Sequence, residues 1–183
     1  MSEALLCVDR LSTRLDLDEG ELRAVDGVDL ELRAGECFAL VGESGSGKSM
    51  TALSIIRLLP EAGRIADGAV RLGPTDLLAL PEAAMRAVRG RRVAMIFQEP
   101  STALNPVLTV GRQILEVIER HRTAPAQAAY ARALALLGAV GIPDGERRMQ
   151  EYPFELSGGL NQRVMIAAAL AAEPEVLIAD EPT

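Results

Sequence analysis

The sequence predicts an α/β fold, and three observations carry that prediction. Cys37-Phe38-Ala39-Leu40-Val41 is a short, wholly apolar run followed at once by glycines and then by a helical pattern. Strand, glycine-rich turn and helix in that order open an α/β unit. Val93-Ala94-Met95-Ile96-Phe97 and Val176-Leu177-Ile178-Ala179 are apolar throughout, as strands buried on both faces of a parallel sheet are. Between those two runs the pattern from Thr109 to about Ala172 is helical, which places a helical insertion between strands.

The elements follow in order. Leu5-Leu6-Cys7-Val8 is an apolar run, and Ala24 to Leu32 ends in alternation, with Val28, Leu30 and Leu32 set against Asp29 and Glu31. Both read as strands, the second half-buried, with an acidic turn from Asp16 to Gly20 between them. After the glycines, Ala52, Ile55, Ile56 and Leu59 recur at helical spacing and Pro60 ends the helix. Ala69 to Leu72 reads as a strand and Glu82 to Arg89 as a short helix. Glu99 to Pro106 holds two prolines and an asparagine and reads as loop. The helical stretch is broken at Pro125, at Gly141 to Asp144 and at Tyr152 to Gly158. In its last helix Val164, Ala167, Ala168 and Ala171 mark the buried face.

Composition narrows the function. A chain of 183 residues, 49% hydrophobic and 25% charged, is long enough for a core without staples. Lys plus Arg number 19 against 26 Asp plus Glu, a net charge of −7, and aromatics are only 3%. That balance argues against wide contact with a phosphate backbone and against base-stacking platforms, so no nucleic-acid partner is expected. No apolar run reaches the ~18 residues of a membrane span, and no signal peptide is visible at Met1-Ser2-Glu3-Ala4. Cys7 and Cys37 lack His or Cys companions at ligand spacing and read as reduced, buried thiols of a cytosolic protein. His121, in Glu119-Arg120-His121-Arg122, reads as a solvated helix-end residue without a role.

Three segments carry chemistry. Gly42-Glu43-Ser44-Gly45-Ser46-Gly47-Lys48-Ser49 fits G-x-x-x-x-G-K-[ST] at every fixed position. Glycines there let several backbone N–H groups point into one concavity, and the helix that follows presents its positive end to the same place. Lys48 is placed to reach the β- and γ-phosphates of a nucleotide, and Ser49 to ligate Mg²⁺. Val176 to Ala179 runs into Asp180 and Glu181. A carboxylate at a neighbouring strand end suits Mg²⁺, which is Asp180's expected role, and Glu181 is placed to polarise an attacking water. Leu156-Ser157-Gly158-Gly159-Leu160-Asn161-Gln162-Arg163 opens the last helix. Ser157 is a good cap, but capping gains nothing from two successive glycines, which cost helix stability. They open bare N–H groups to a close ligand instead, so a second anion site is expected.

In this order the segments resemble the nucleotide-binding subunit of ABC transporters. Gly42 to Ser49 is similar to Walker A, Leu156-Ser157-Gly158-Gly159 to the ABC signature, and Val176 to Glu181 to Walker B with its catalytic glutamate. Gln98, after the strand ending at Phe97, is similar to the Q-loop glutamine. Met95 to Pro100, Ala103-Leu104-Asn105-Pro106, Asn161 to Ala167 and Ala24 to Val28 further resemble the dipeptide/oligopeptide/nickel importer branch. The resemblance implies a RecA-like P-loop NTPase core (residues 1–98 with an N-terminal antiparallel β portion), a helical subdomain with the signature helix (99–172) and the Walker B strand (173–183). It implies ATP and Mg²⁺ as cofactors. Gly42, Glu43, Ser44, Gly45, Ser46, Gly47, Lys48, Ser49 and Met50, with Ser157, Gly158 and Gly159, would bind nucleotide. Ser49, Gln98 and Asp180 would attend the metal, and Glu181 and Gln98 the catalysis. Its partners would be a second ATPase subunit paired head to tail, homo- or heterodimeric, two membrane permease subunits and, indirectly, a solute-binding protein. Its place would be the cytoplasmic face of the membrane, and its function ATP-driven uptake of peptides or similar solutes.

The sequence departs from that pattern in places. The family's D-loop and switch histidine lie beyond Walker B, whereas Thr183 is the last residue here and His121 lies too early. The branch's C-terminal extension is likewise not in the chain, which reads as part of a longer subunit. No aromatic occurs from Arg10 to Asp29 to stack on adenine; Leu15 or Arg23 lies nearby. Leu160 occupies a signature position often held by Gln. A soluble ABC ATPase outside transport and a non-hydrolysing nucleotide-binding fragment are the competing readings.

Overall fold

The computed structural model describes residues 4–121 and 123–182. The chain divides into two compact units, Met1–Arg86 and Ala87–Thr183. The first is built on a 4-stranded antiparallel sheet in the order β2-β1-β3-β4. Its strands are β1 (Ala4–Leu17), β2 (Gly20–Arg33), β3 (Gly63–Leu72) and β4 (Thr75–Asp76). The expected acidic turn joins β1 to β2, with Leu17 paired to Gly20. Both strands run longer than their apolar patterns indicate. β1 buries Leu6 and Val8, then Leu11 and Thr13, the alternation shifting by one residue at an irregularity where Arg10 takes φ 46, while β2 buries only Val25. The ribbon is thus extended by backbone pairing where its side chains remain in water.

The helix after the glycines, α1 (Lys48–Ile55), lies on this sheet through Thr51, Ala52, Ser54 and Ile55. Its polar contact with the sheet is the buried pair of Ser54 Oγ and Thr13 Oγ1, 2.7 Å apart, which satisfies two hydroxyls that burial would otherwise penalise. The helix stops before the expected Leu59-Pro60. Arg57 turns left-handed at φ 55, and its guanidinium donates to the carbonyls of Leu77 and Leu80 at 3.0 and 2.6 Å.

The expected buried strand over Cys37–Val41 is not formed. The segment pairs with no strand among the described residues and is exposed, Val41 to 88%. A parallel strand exists only through its neighbours, and apolar composition alone supplies none. Cys37 is exposed with it and Cys7 is half-buried in β1, so the expectation of two buried thiols fails.

The second unit holds β5 (Val93–Ile96) and β6 (Val176–Ala179), paired parallel from Val93↔Val176 to Ile96↔Ala179. β5 is buried at every position, as expected. β6 is not: Val176 is buried and Leu177 is 40% exposed. Glu175 and Arg92 fix the start of the pair with bonds of 2.7 and 3.0 Å. That bond holds the Glu175 carboxyl below its usual range and raises the Arg92 guanidinium further.

Between the strands lie α3 (Pro100–Ala103), α4 (Val110–His121), α5 (Ala126–Ala139), α6 (Gly145–Arg148), a 3₁₀ turn at Pro153–Glu155 and α7 (Gly158–Ala171). α2 (Glu82–Val88) precedes β5. The single turn of α3, with Pro100 at its start, falls in a segment expected to be loop. Proline at a first helical position forfeits no hydrogen bond. Val110, Ile114 and Ile118 of α4 pack with Ala133 and Leu137 of α5 and with Val164, Ala167 and Ala171 of α7. Each large aliphatic side chain buried this way contributes about 1.5–3 kcal/mol, and the cluster holds α7 rigidly. Of the four residues expected on its buried face, Ala168 is only partly buried. His121 closes α4 but is not simply solvated: a Cβ built on Gly90 would come within 2.5 Å of its Nε2.

Candidate functional site

In the first unit, the glycine-rich loop forms before α1. Gly45 and Gly47 take φ 81 and 91, values that side-chain-bearing residues resist. At Gly47 there is also no room: a Cβ would lie 2.4 Å from the carbonyl oxygen of Ala24. The loop therefore passes against β2 at its backbone. Ser46 N donates to the Glu43 carbonyl at 3.2 Å, closing a turn. Lys48 folds back over that turn, its Nζ donating to the carbonyls of Gly42 and Glu43, each at 2.9 Å. Gly42 to Ser46 are exposed, and Gly47, Lys48, Ser49 and Met50 half-buried. The sequence thus yields an open backbone cradle ringed around an ammonium, suited to an anion of several oxygens.

In the second unit, polar residues gather past the C-terminal ends of the parallel strands, where open α/β sheets bind ligands. Ile96↔Ala179 is the last register pair. Asp180 N continues the ladder by donating to the Ile96 carbonyl at 2.9 Å. Because the strands are parallel and in step, Gln98 and Glu181 emerge side by side, and Gln98 Nε2 donates to Glu181 Oε2 at 2.8 Å. Two residues 83 apart in sequence are thereby in contact. The backbone at Glu181 is left-handed, φ 44.

The start of α7 is capped as expected. Ser157 Oγ accepts from Leu160 N at 3.4 Å, and cavities for added Cβ atoms at Gly158 and Gly159 meet nothing within 4 Å. The segment before it is braced by Asn161 Nδ2 donating to the Pro153 carbonyl at 2.9 Å and by Tyr152 N donating to Glu155 at 2.8 Å. The side chains of Tyr152 and Phe154 stack at 5.4 Å.

One residue with a place in this site was not singled out for a role in the sequence. Gln162 donates from Nε2 to the carbonyl of Pro182, just past Glu181. The signal was its position one helical turn after Gly158, which spacing alone does not distinguish from a solvated glutamine.

The chemistry of the donors bears on magnesium. Among the described residues no cluster of His, Cys, Asp or Glu suffices to hold a metal ion. Mg²⁺ does not need one: it keeps waters and is held by one or two carboxylates together with substrate phosphates. Ser49 in the first unit and Asp180 in the second each carry a hard oxygen of the kind that mode uses. Also among the described residues, no helix is long and apolar enough to cross a membrane.

The family described as "ABC transporter" matches residues 25–183. The chain is 51% identical over 180 residues to the oligopeptide transport ATP-binding protein AppD of Bacillus subtilis, covering 98% of this chain and 55% of that one. It is 47% identical over 182 residues to the dipeptide transport ATP-binding protein DppD of the same organism, covering 99% and 54%. The chain thus spans about half the length of these curated relatives. Among solved structures, it is similar to the ATP-binding cassette MJ0796 in a dimeric post-hydrolysis state bound to ADP and Pi, with a TM-score of 0.85 and 28% identity over 97% of this chain and 74% of that one. Its fold is that of the P-loop NTPase cassettes, and the chain belongs to the ABC transporter family.

Proposed function

We propose that this chain is the ATP-binding and hydrolysing part of an ABC importer subunit, coupling ATP to uptake of peptides or similar small solutes. The observation that carries the reading is the loop from Gly42 to Ser49, wrapped about Lys48 and open to solvent. The identity to subunits named for oligopeptide and dipeptide transport supports the substrate class.

In this reading residues 42–50 bind the nucleotide's phosphates through backbone N–H groups and Lys48, which exchanges its two carbonyl partners for phosphate oxygens. Ser49 and Asp180, with Gln98, would hold Mg²⁺, which would supply charge neutralisation at the phosphates. Glu181 accepts a proton from the attacking water, and the amide of Gln98 sets the direction of its carboxylate. Ser157, Gly158 and Gly159 present open N–H groups to a nucleotide held by a second subunit. The 1–98, 99–172 and 173–183 segments act as P-loop core, helical subdomain and Walker B strand. The protein works at the cytoplasmic face of the membrane, on two permease subunits fed by a solute-binding protein.

The test is a titration with Mg·ATP. Lys48→Ala removes a charge whose hydrogen bonds contribute roughly 1.5–3 kcal/mol each, so affinity should fall at least tenfold. Unchanged affinity would remove the phosphate-loop reading. Co-purification of the full-length subunit with permease proteins, and not with nucleic acid, checks the transport role.

A further inference from the structure

We propose that Gln162 is a positioning residue for Glu181, tying the start of α7 to the turn that carries the carboxylate; the proposal rests on the reading of Glu181 as the base. The argument begins with backbone strain. Glu181 is followed by Pro182, and a residue before proline favours extended backbone. It sits instead at φ 44, a region that costs a side-chain-bearing residue on the order of 1–2 kcal/mol. Such a conformation persists only where the surroundings over-determine it, and it collects at functional sites.

The surroundings here are specific. Upstream, Asp180 N is held by the Ile96 carbonyl at 2.9 Å. At the residue itself, Gln98 Nε2 holds the carboxylate at 2.8 Å. Downstream, Pro182 has no N–H to donate, so its carbonyl is the backbone handle left, and Gln162 Nε2 takes it. Gln162 is half-buried, on a helix fixed by Val164, Ala167 and Ala171. Four residues before it on the same face is Gly158. Gln162 therefore gives the start of α7 a direct link to the Glu181 turn.

The experiment compares Gln162→Met, of similar volume without a donor, Gln162→Lys, which restores a donor of similar reach, and Glu181→Gln. Amide exchange at Asp180 and Glu181 is followed without nucleotide, and kcat and KM for Mg·ATP are measured on the full-length subunit. Gln162→Met should speed exchange at those amides about fivefold, the effect of losing one ordinary hydrogen bond. It should lower kcat on the order of 10- to 100-fold with KM within about twofold, and Gln162→Lys should recover most of both. Unchanged exchange and unchanged kcat in Gln162→Met would overturn the proposal. So would a loss of kcat accompanied by an equal loss of global stability and no recovery with lysine, since that is what a merely structural glutamine predicts. If Glu181→Gln hydrolyses ATP at the parental rate, it is the reading of Glu181 that fails, whatever Gln162→Met does to exchange.

Discussion

Gly45 and Gly47 take nearly the same left-handed backbone, φ 81 and 91, but differ in what a methyl group would meet. At Gly45 a Cβ has nothing within 4 Å, whereas at Gly47 it lies 2.4 Å from the Ala24 carbonyl oxygen. Alanine at Gly45 thus incurs only the conformational cost of about 1–2 kcal/mol. Alanine at Gly47 incurs that cost and an overlap with backbone, which no rotamer change relieves; overpacking of this kind costs about 1–3 kcal/mol. The chain either keeps the conformation and loses stability, or relaxes it, moves the loop off β2 and loses nucleotide affinity. The sum of the two losses is the measurable quantity, about 2–5 kcal/mol for Gly47→Ala against about 1–2 for Gly45→Ala. Urea denaturation gives the first part, and titration with Mg·ATP gives the second. A summed loss for Gly47→Ala no larger than that for Gly45→Ala would refute the close approach of the loop to β2 as the reason for the glycine.

Two further outcomes follow from the second unit. Glu181→Gln should leave Mg·ATP affinity within about twofold and slow hydrolysis by roughly 10²–10⁴, since the amide keeps the shape but cannot take a proton; single-turnover measurement in the full-length subunit checks it. Burial, reinforced by Arg120 and Arg91, lowers the pKa of His121 below the ordinary 6.5. The unfolded chain then gains a proton that the folded one does not as pH falls below 6.5, so stability is full above that value and declines until the folded pKa is reached. His121→Gln should flatten that part of the stability–pH curve, and an unchanged slope in urea denaturation would count against it.

Local signals in the sequence carried most of the elements. The glycine–lysine loop, the Ser157 cap and the carboxylates after Ala179 are each written in contiguous residues, and their chemistry follows from residue type and short spacing. The antiparallel hairpin of β1 and β2 was legible because its turn is local. Cys37–Val41 was not, although its composition is that of a buried strand. A run of five apolar residues states that burial is favourable; it does not state what supplies the hydrogen bonds. β5 and Cys37–Val41 look alike on the page, yet β5 has β6 for a partner and the other run has none among the described residues. His121 was misread for a related reason. Its neighbours Glu119, Arg120 and Arg122 suggest water, while the glycine that lets it pack, Gly90, lies 31 positions upstream.

The same distinction explains which site residues were found. Asp180 and Glu181 were placed from the strand they follow, and Gln98 from the resemblance of its segment to the Q-loop. Their juxtaposition is a property of register. With Ile96 opposite Ala179, a displacement of one residue in either strand would separate Gln98 from Glu181 by about 3.3 Å along the sheet and break the 2.8 Å contact. That register is set at the far end of the strands, where Val176 N donates to the Arg92 carbonyl at 2.9 Å and the Arg92 guanidinium grips Glu175. Both groups of that ion pair are partly exposed, so its energetic weight is small and its geometric role is the larger one. Gln162 belongs to the same class of information. Nothing adjacent to it in sequence distinguishes it, and its role appears only when the helix that begins at Gly158 is brought to the turn that follows β6, where Gln162 meets the Pro182 carbonyl. The residue types proposed for catalysis are therefore readable from the chain, and the contacts that would aim them are set by pairing and packing between distant segments.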